Sequence, residues 1–191
     1  MRFRDSIEWQ VTPEGVTIDG DLQRTGGEPV TMRRILSEYG RIFSEYAHAY
    51  GVPVSLLLAT AATETNGNPL AVRLEPGYVS DDETPHRVSP GMMQTLISTA
   101  REALRDATVG RDFLLRPAGS IQAGAAYIGR QGTVTGFDPV FVAAAYNAGG
   151  LYHEDKPANR WRLKCYPLGT GEHIDRFVRW YGDACAVLKE S

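Results

Sequence analysis

Glu64 stands where a carboxyl is chemically awkward. It follows an almost unbroken apolar and small-residue run in the stretch LLLATAATETNGNP, Leu56 to Pro69. The run predicts a buried helix over Val54 to Thr65, started by Pro53 and stopped by Asn66, Gly67, Asn68 and Pro69. At the C-terminal end of such a helix, the dipole and the apolar surroundings both disfavour an ionised side chain, so the pKa of Glu64 is expected to be raised. A carboxyl that stays protonated near neutral pH is what a general acid requires, and protonating a departing glycosidic oxygen is a common use of one. The bland alternative is a surface glutamate just past a helix end.

A second carboxylate would widen the chemistry. An inverting glycosidase needs one at about 6.5–9.5 Å from the acid to activate water, and a retaining enzyme needs a nucleophile at about 5–5.5 Å. The SDDE cluster, with Asp81, Asp82 and Glu83, offers candidates, although an acidic loop is often only a solvated loop. The four histidines, His48, His86, His153 and His173, fall in different elements without a ligand pair at metal spacing, so no metal and no cofactor is expected. Cys165 and Cys185 match no zinc or redox motif; they are either two packed thiols or one disulfide across the C-terminal segment. The stretch KPANRWRLK, Lys156 to Lys164, either rims a groove with Trp161 stacked on a sugar or connects elements around a buried Trp161.

These residues need a scaffold, and the periodicity supplies a mainly helical one. DSIEWQVTPEGVTIDGDL, Asp5 to Leu22, alternates around a TPEG turn and predicts a hairpin, with Ile7, Trp9 and Val11 facing Val16 and Ile18. From Val30 to Tyr50, apolar residues including Met32, Ile35, Leu36, Tyr39 and Phe43 recur at helical spacing. Leu70 to Pro90 is punctuated by Pro76, Gly77 and Pro85 and predicts a loop or short hairpin. Helical patterns return over Thr95 to Ala107, Ser120 to Arg130, Asp138 to Ala148 and Glu172 to Lys189. The expected organisation is an N-terminal hairpin extension, residues 1–28, followed by one compact domain over 29–191.

Composition removes several classes of function. Twenty basic against 23 acidic side chains give a net charge of -3, without the electrostatic footprint of a nucleic-acid binder. No run is long and apolar enough to cross a bilayer, which excludes an integral membrane segment. MRFRDSIEWQ lacks the apolar core and cleavage site of a signal peptide.

ETNGNP resembles the Glu-Ser-x-x-x-Pro block of the lytic transglycosylases, the goose-lysozyme-like (SLT) enzymes that cut peptidoglycan glycan strands. Three further blocks follow in that family's order. SPGMMQTLISTA, Ser89 to Ala100, is similar to its Gly-Leu-Met-Gln segment; SIQAGAAYI, Ser120 to Ile128, to its Asn-Ile-x-x-Gly-x-x-Tyr-Leu segment; AAYNAGG, Ala144 to Gly150, to its Ala-Tyr-Asn-Ala-Gly segment. Thr65, Met92 and Ser120 depart from the pattern while keeping a hydroxyl, a volume and a helix-start preference respectively.

The resemblance implies a lysozyme-like α domain in which Glu64 is acid and then base. It implies substrate contacts from Thr65, Ser89, Met93, Gln94, Tyr146 and Asn147. Met93 and Gln94 would line the groove floor, Gln94 offering its amide to the glycan, and Tyr146 would reach the Glu64 carboxyl with its phenol. Asn147 would hold helix packing or the acetamido group, while Met92 and Tyr127 are read as core. The implied product is a 1,6-anhydromuramic sugar, formed without a second carboxylate. A goose-type muramidase would instead use Asp81 or Asp82, and a non-catalytic glycan-binding or phage-tail module is the third reading. The expected partner is the peptidoglycan strand, met by a monomer. A phage-type endolysin released through a pore fits a chain without a signal peptide, as does a tail component or a secreted effector.

Overall fold

The computed structural model describes residues 1–190, and it is mainly helical. Three short N-terminal strands, β1 (Gln10–Thr12), β2 (Gly15–Ile18) and β3 (Asp21–Leu22), form an antiparallel sheet in that order. Val11 pairs with Val16 across the TPEG turn. The long helix α1 (Val30–Tyr50) leads into α2 (Val54–Thr65), and a second hairpin joins β4 (Val72–Leu74) to β5 (Val88–Pro90) through a 3-10 turn at Pro85–Arg87. Helices α3 (Ile97–Leu104), α4 (Arg111–Leu114), α5 (Pro117–Thr135), α6 (Pro139–Ala148) and α7 (Glu172–Glu190) complete the fold.

Helix α2 is the hub. Its residues Leu56 to Thr63 are all buried, and it packs against α1, α5, α6 and, most extensively, α7. Each fully buried leucine contributes about 1.5–3 kcal/mol relative to exposure. The helix ends because Asn66 adopts a left-handed φ of 54° and donates its N–H to Ala62, while Gly67, at φ 76°, donates to Ala61. A side chain on Gly67 would lie 2.5 Å from Ile35 of α1, so glycine lets the chain leave α2 against its neighbour. Glu64 is thereby fixed in the last turn.

The N-terminal segment shares the main core. Trp9 is buried, meets Trp161 and Phe141 edge to face, and donates its indole N–H to Asp138, whose other oxygen caps the N-terminus of α6. Trp161 is therefore a core residue and not a sugar platform: it is fully buried, with its Nε1 donating to Asp175 at 2.9 Å. A smaller apolar cluster, Val88, Ile97, Ala100, Val109, Leu114 and Ala123, ties the second hairpin to α3, α4 and α5. Helix α3 is shorter than its pattern predicts because Arg105 turns left-handed, and α4 is a single turn too short to carry a period. Cys165 and Cys185 are both buried free thiols.

Candidate active site

A cleft of about 540 Å³ opens over the end of α2. Glu64 forms part of its wall, with 16% of its side-chain surface exposed. Burial pushes its pKa up to about 7, against the pull of the Arg176 and Arg73 guanidiniums. Near neutrality both protonation states of the carboxyl are therefore within reach, as a group that gives a proton and later takes one back requires. His173 lies beside it, with Nε2 3.8 Å from the carboxyl oxygen, and is itself 3% exposed. Burial, aided by the Arg176 charge, pushes the imidazole down to about 4, so this histidine is neutral at physiological pH.

The second hairpin supplies one wall. Arg73 and Ser89 are directly opposed across β4 and β5, so their side chains share a face, and Glu75 returns to that face two residues on. Arg73 Nε and Glu75 lie 2.9 Å apart, and His86 comes from the connecting turn. Opposite, Tyr127 of α5 and Tyr146 of α6 line the cleft with ring centroids 5.4 Å apart, and Asn147 follows at the end of α6.

The segment from Gly91 to Leu96 forms the base between these walls. Gly91 has φ 86°, and a side chain there would lie 2.0 Å from the Leu114 carbonyl oxygen, so only glycine brings the segment down onto α4 and α5. Gln94 takes a left-handed φ of 51° and is held by its own amide, which donates to the Gly91 carbonyl at 2.8 Å and the Ala71 carbonyl at 3.4 Å and accepts from Ser89 Oγ at 3.2 Å. Tyr146 donates its phenol to the Met93 carbonyl at 2.7 Å, with the Thr95 hydroxyl 2.8 Å away. Burial raises the Tyr146 pKa well above that of a free phenol.

Several sequence expectations change here. Met93 does not floor the groove: its side chain is fully buried against Gly124, and only its carbonyl serves the site through Tyr146. Gln94 lines the cleft, but both donor directions of its amide are taken by the loop rather than left for a glycan. The Tyr146 phenol goes to Met93 and Thr95 and not to Glu64. Thr65 lies outside the cleft lining, its hydroxyl donating to the Met92 carbonyl at 2.8 Å and so bracing α2 against the same segment. Tyr127, expected in the core, lines the cleft, whereas Met92 is fully buried.

Asp81 and Asp82 are not cleft residues either. Asp81 accepts from Arg111 through both oxygens and from Tyr78, which holds its carboxyl below the usual range; the Asp82 side chain is 97% exposed. The carboxylate that does join Glu64 in the cleft is Glu75. The alternation of VRLEP, Val72 to Pro76, carried a signal for Arg73 and Glu75 on one face; nothing local in the sequence marked His173. Among the described residues no group of three His, Cys, Asp or Glu side chains is arranged for a metal, and no helix is long and apolar enough to cross a membrane.

Solved structures share this arrangement of helices. The lytic transglycosylase Slt of Pseudomonas aeruginosa, described as an inactive mutant with glutamate changed to glutamine, aligns with TM-score 0.60 at 20% identity over 82% of this chain and 25% of that one. The 70-kDa soluble lytic transglycosylase Slt70 of Escherichia coli aligns with TM-score 0.55 at 21% identity over 79% of this chain and 24% of its own. The 70-kDa soluble lytic transglycosylase in complex with bulgecin A gives TM-score 0.58 at 20% identity, covering 83% and 25%. This chain thus spans about a quarter of the length of the structures it matches. No curated protein sequence matches it significantly. The family model described as Transglycosylase SLT domain matches residues 41–164, a span running from α1 across the end of α2, the cleft hairpin and α6, and the chain belongs to that family.

Proposed function

We propose that this chain cleaves the β-1,4 bond between N-acetylmuramic acid and N-acetylglucosamine in peptidoglycan, with Glu64 as the single acid and base. The observation that carries this reading is a carboxyl, buried and pushed up to about 7, on the wall of a cleft whose other carboxylate, Glu75, is paired with Arg73. Protonated Glu64 gives its proton to the glycosidic oxygen as the C1–O bond breaks, and the substrate's own N-acetyl oxygen stabilises the cation at C1. The Glu64 carboxylate then takes the proton from the muramic C6 hydroxyl as that oxygen closes on C1, which regenerates the acid and leaves a 1,6-anhydro sugar. Asn147 and Ser89 face the cleft and are proposed substrate contacts; Tyr127 and Tyr146 offer aromatic faces to a sugar.

The inactive glutamate-to-glutamine mutant of the Pseudomonas enzyme supports the assignment of one decisive glutamate. A hydrolytic muramidase is the second reading, favoured by the presence of Glu75 in the same cleft, although Arg73 holds that carboxylate. The 1–28 segment is proposed to act as a structural brace within one compact unit, through Trp9 and the Asp183 contacts with Arg24 and Thr25.

The test of the acid is Glu64→Gln, scored by turbidity loss of permeabilised cells. The amide keeps the shape and has no proton to donate, so lytic activity should fall by at least about a thousandfold with the fold intact. Activity within tenfold of wild type would remove Glu64 from the mechanism.

A further inference from the structure

The reaction asks Glu64 to hold two protonation states in one orientation, yet among the described residues no side chain hydrogen-bonds its carboxyl. The basic side chain beside it is His173, in the first turn of α7, at 3.8 Å. Its position is set by the helix it starts: the backbone N–H groups of His173 and Ile174 point at the Cys165 sulfur, and α7 packs against α2. Neither group can swing far, since the imidazole is 3% and the carboxyl 16% exposed.

We propose that His173 is a positioning residue, whose neutral imidazole donates from Nε2 to the Glu64 carboxylate that forms when the leaving group is protonated, fixing that carboxylate for the second proton transfer. This inference rests on the acid–base reading of Glu64. At 3.8 Å the contact is longer than a hydrogen bond, but rotation about the terminal torsion of a glutamate crosses a broad, shallow well, and catalytic hydrogen bonds commonly tighten only as charge develops.

The surrounding charges favour a neutral imidazole over an ion pair. On α7 itself Arg176 opposes protonation of the ring, while Glu172 is exposed and Asp175 is engaged by Arg160 and Trp161. From β4, Arg73 acts on Glu64, and from α6 the nearby Tyr146 phenol is un-ionised. From α2 the only titratable side chain is Glu64 itself, and the Cys165 thiol is held protonated by burial. One proton shared by the pair therefore sits on the carboxyl, where the first step needs it. A cationic histidine would compete for that proton and leave the acid empty.

The pair can be read in the intact protein by 15N NMR of the histidine rings. The expected result is a His173 ring that stays neutral across about pH 5 to 8, carries its proton on Nε2, and shows that N–H moving downfield as Glu64 ionises; Glu64→Gln should abolish the movement. A ring protonated on Nδ1, one that gains its second proton near its ordinary value, or one blind to Glu64 would overturn the inference.

Kinetics supply the second arm. His173→Leu should lower kcat by roughly tenfold or more with KM little changed, and His173→Gln, whose amide N–H reaches the Nε2 position, should restore most of it. His173→Asn, polar but too short, should behave like leucine, which keeps the test informative if the leucine variant fails to fold. Equal activity in all three, or a Gln variant as poor as Asn, would contradict the positioning role. A wild-type protein that shows the NMR response and releases no sugar from peptidoglycan would refute the proposed function while leaving the pair intact.

Discussion

Replacing Glu64 by glutamine should stabilise the protein, and only on the alkaline side. The unfolded chain releases the Glu64 proton near the ordinary value of 4.5, whereas the folded protein keeps it up to about 7. Folding therefore binds a proton between those values, and the stability supplied by the protonated carboxyl is full below 4.5 and lost as pH rises through 7. Moving a buried carboxyl that far corresponds to roughly 3 kcal/mol. Glutamine cannot ionise and is spared this loss. The advantage of Glu64→Gln over wild type should accordingly grow by roughly 2–3 kcal/mol between about pH 5 and pH 8, or roughly 4–12 °C in Tm for a chain of this size. His173 and Asp81 titrate in both proteins, so most of their contribution cancels in the difference. Urea denaturation of the two proteins at several pH values measures it directly. A difference that stays constant with pH would show that burial does not raise the Glu64 pKa.

Tyr146→Phe removes a phenol that donates to the Met93 carbonyl and pairs with Thr95, leaving buried polar atoms unmatched. It should cost about 1–3 kcal/mol by thermal denaturation and lower lytic activity by less than about tenfold; unchanged Tm with a thousandfold loss would place the phenol on the reacting atoms instead. Asp81→Asn breaks the Arg111 contact outside the cleft, so activity should be retained while stability falls by about 1 kcal/mol near neutrality. Because Asp81 is held below its usual range, its stabilising effect is present above the ordinary value of 3.8 and fades as pH falls, and the variant should match wild type in acid. Loss of lysis with normal stability would return Asp81 to the site.

The buried position of Glu64 was readable because its signal is local. An apolar run of helical length, ended by Asn66 and Gly67, places Glu64 at a buried helix end, and the structure shows α2 over that range. The N-terminal hairpin, α1 and α7 were legible for the same reason, each having a period or turn chemistry of its own, whereas Leu70 to Pro90 read only as a loop or short hairpin. What the polar side chains do was less legible. Gln94 and Tyr146 read as substrate groups from their motifs, yet their hydrogen bonds go to backbone carbonyls of Ala71, Gly91 and Met93, partners fixed only when the Gly91 turn meets α4 and α5. Tyr127, read as core, lines the cleft because helical spacing fixes a face without saying what covers it, whereas the buried Trp161 is one of the two readings its segment offered. His173 reaches Glu64 through the packing of α7 on α2, a contact between distant segments for which no spacing rule exists.

In the proposed reaction one carboxyl performs both proton transfers and no side chain activates water. Mass spectrometry of the sugars released from purified peptidoglycan by the wild-type protein tests it most directly. Anhydro products are expected, lighter than hydrolysed ones by one water molecule and resistant to borohydride reduction. Products of hydrolysed mass with reducible ends would contradict it, and would turn attention to Glu75 as the base.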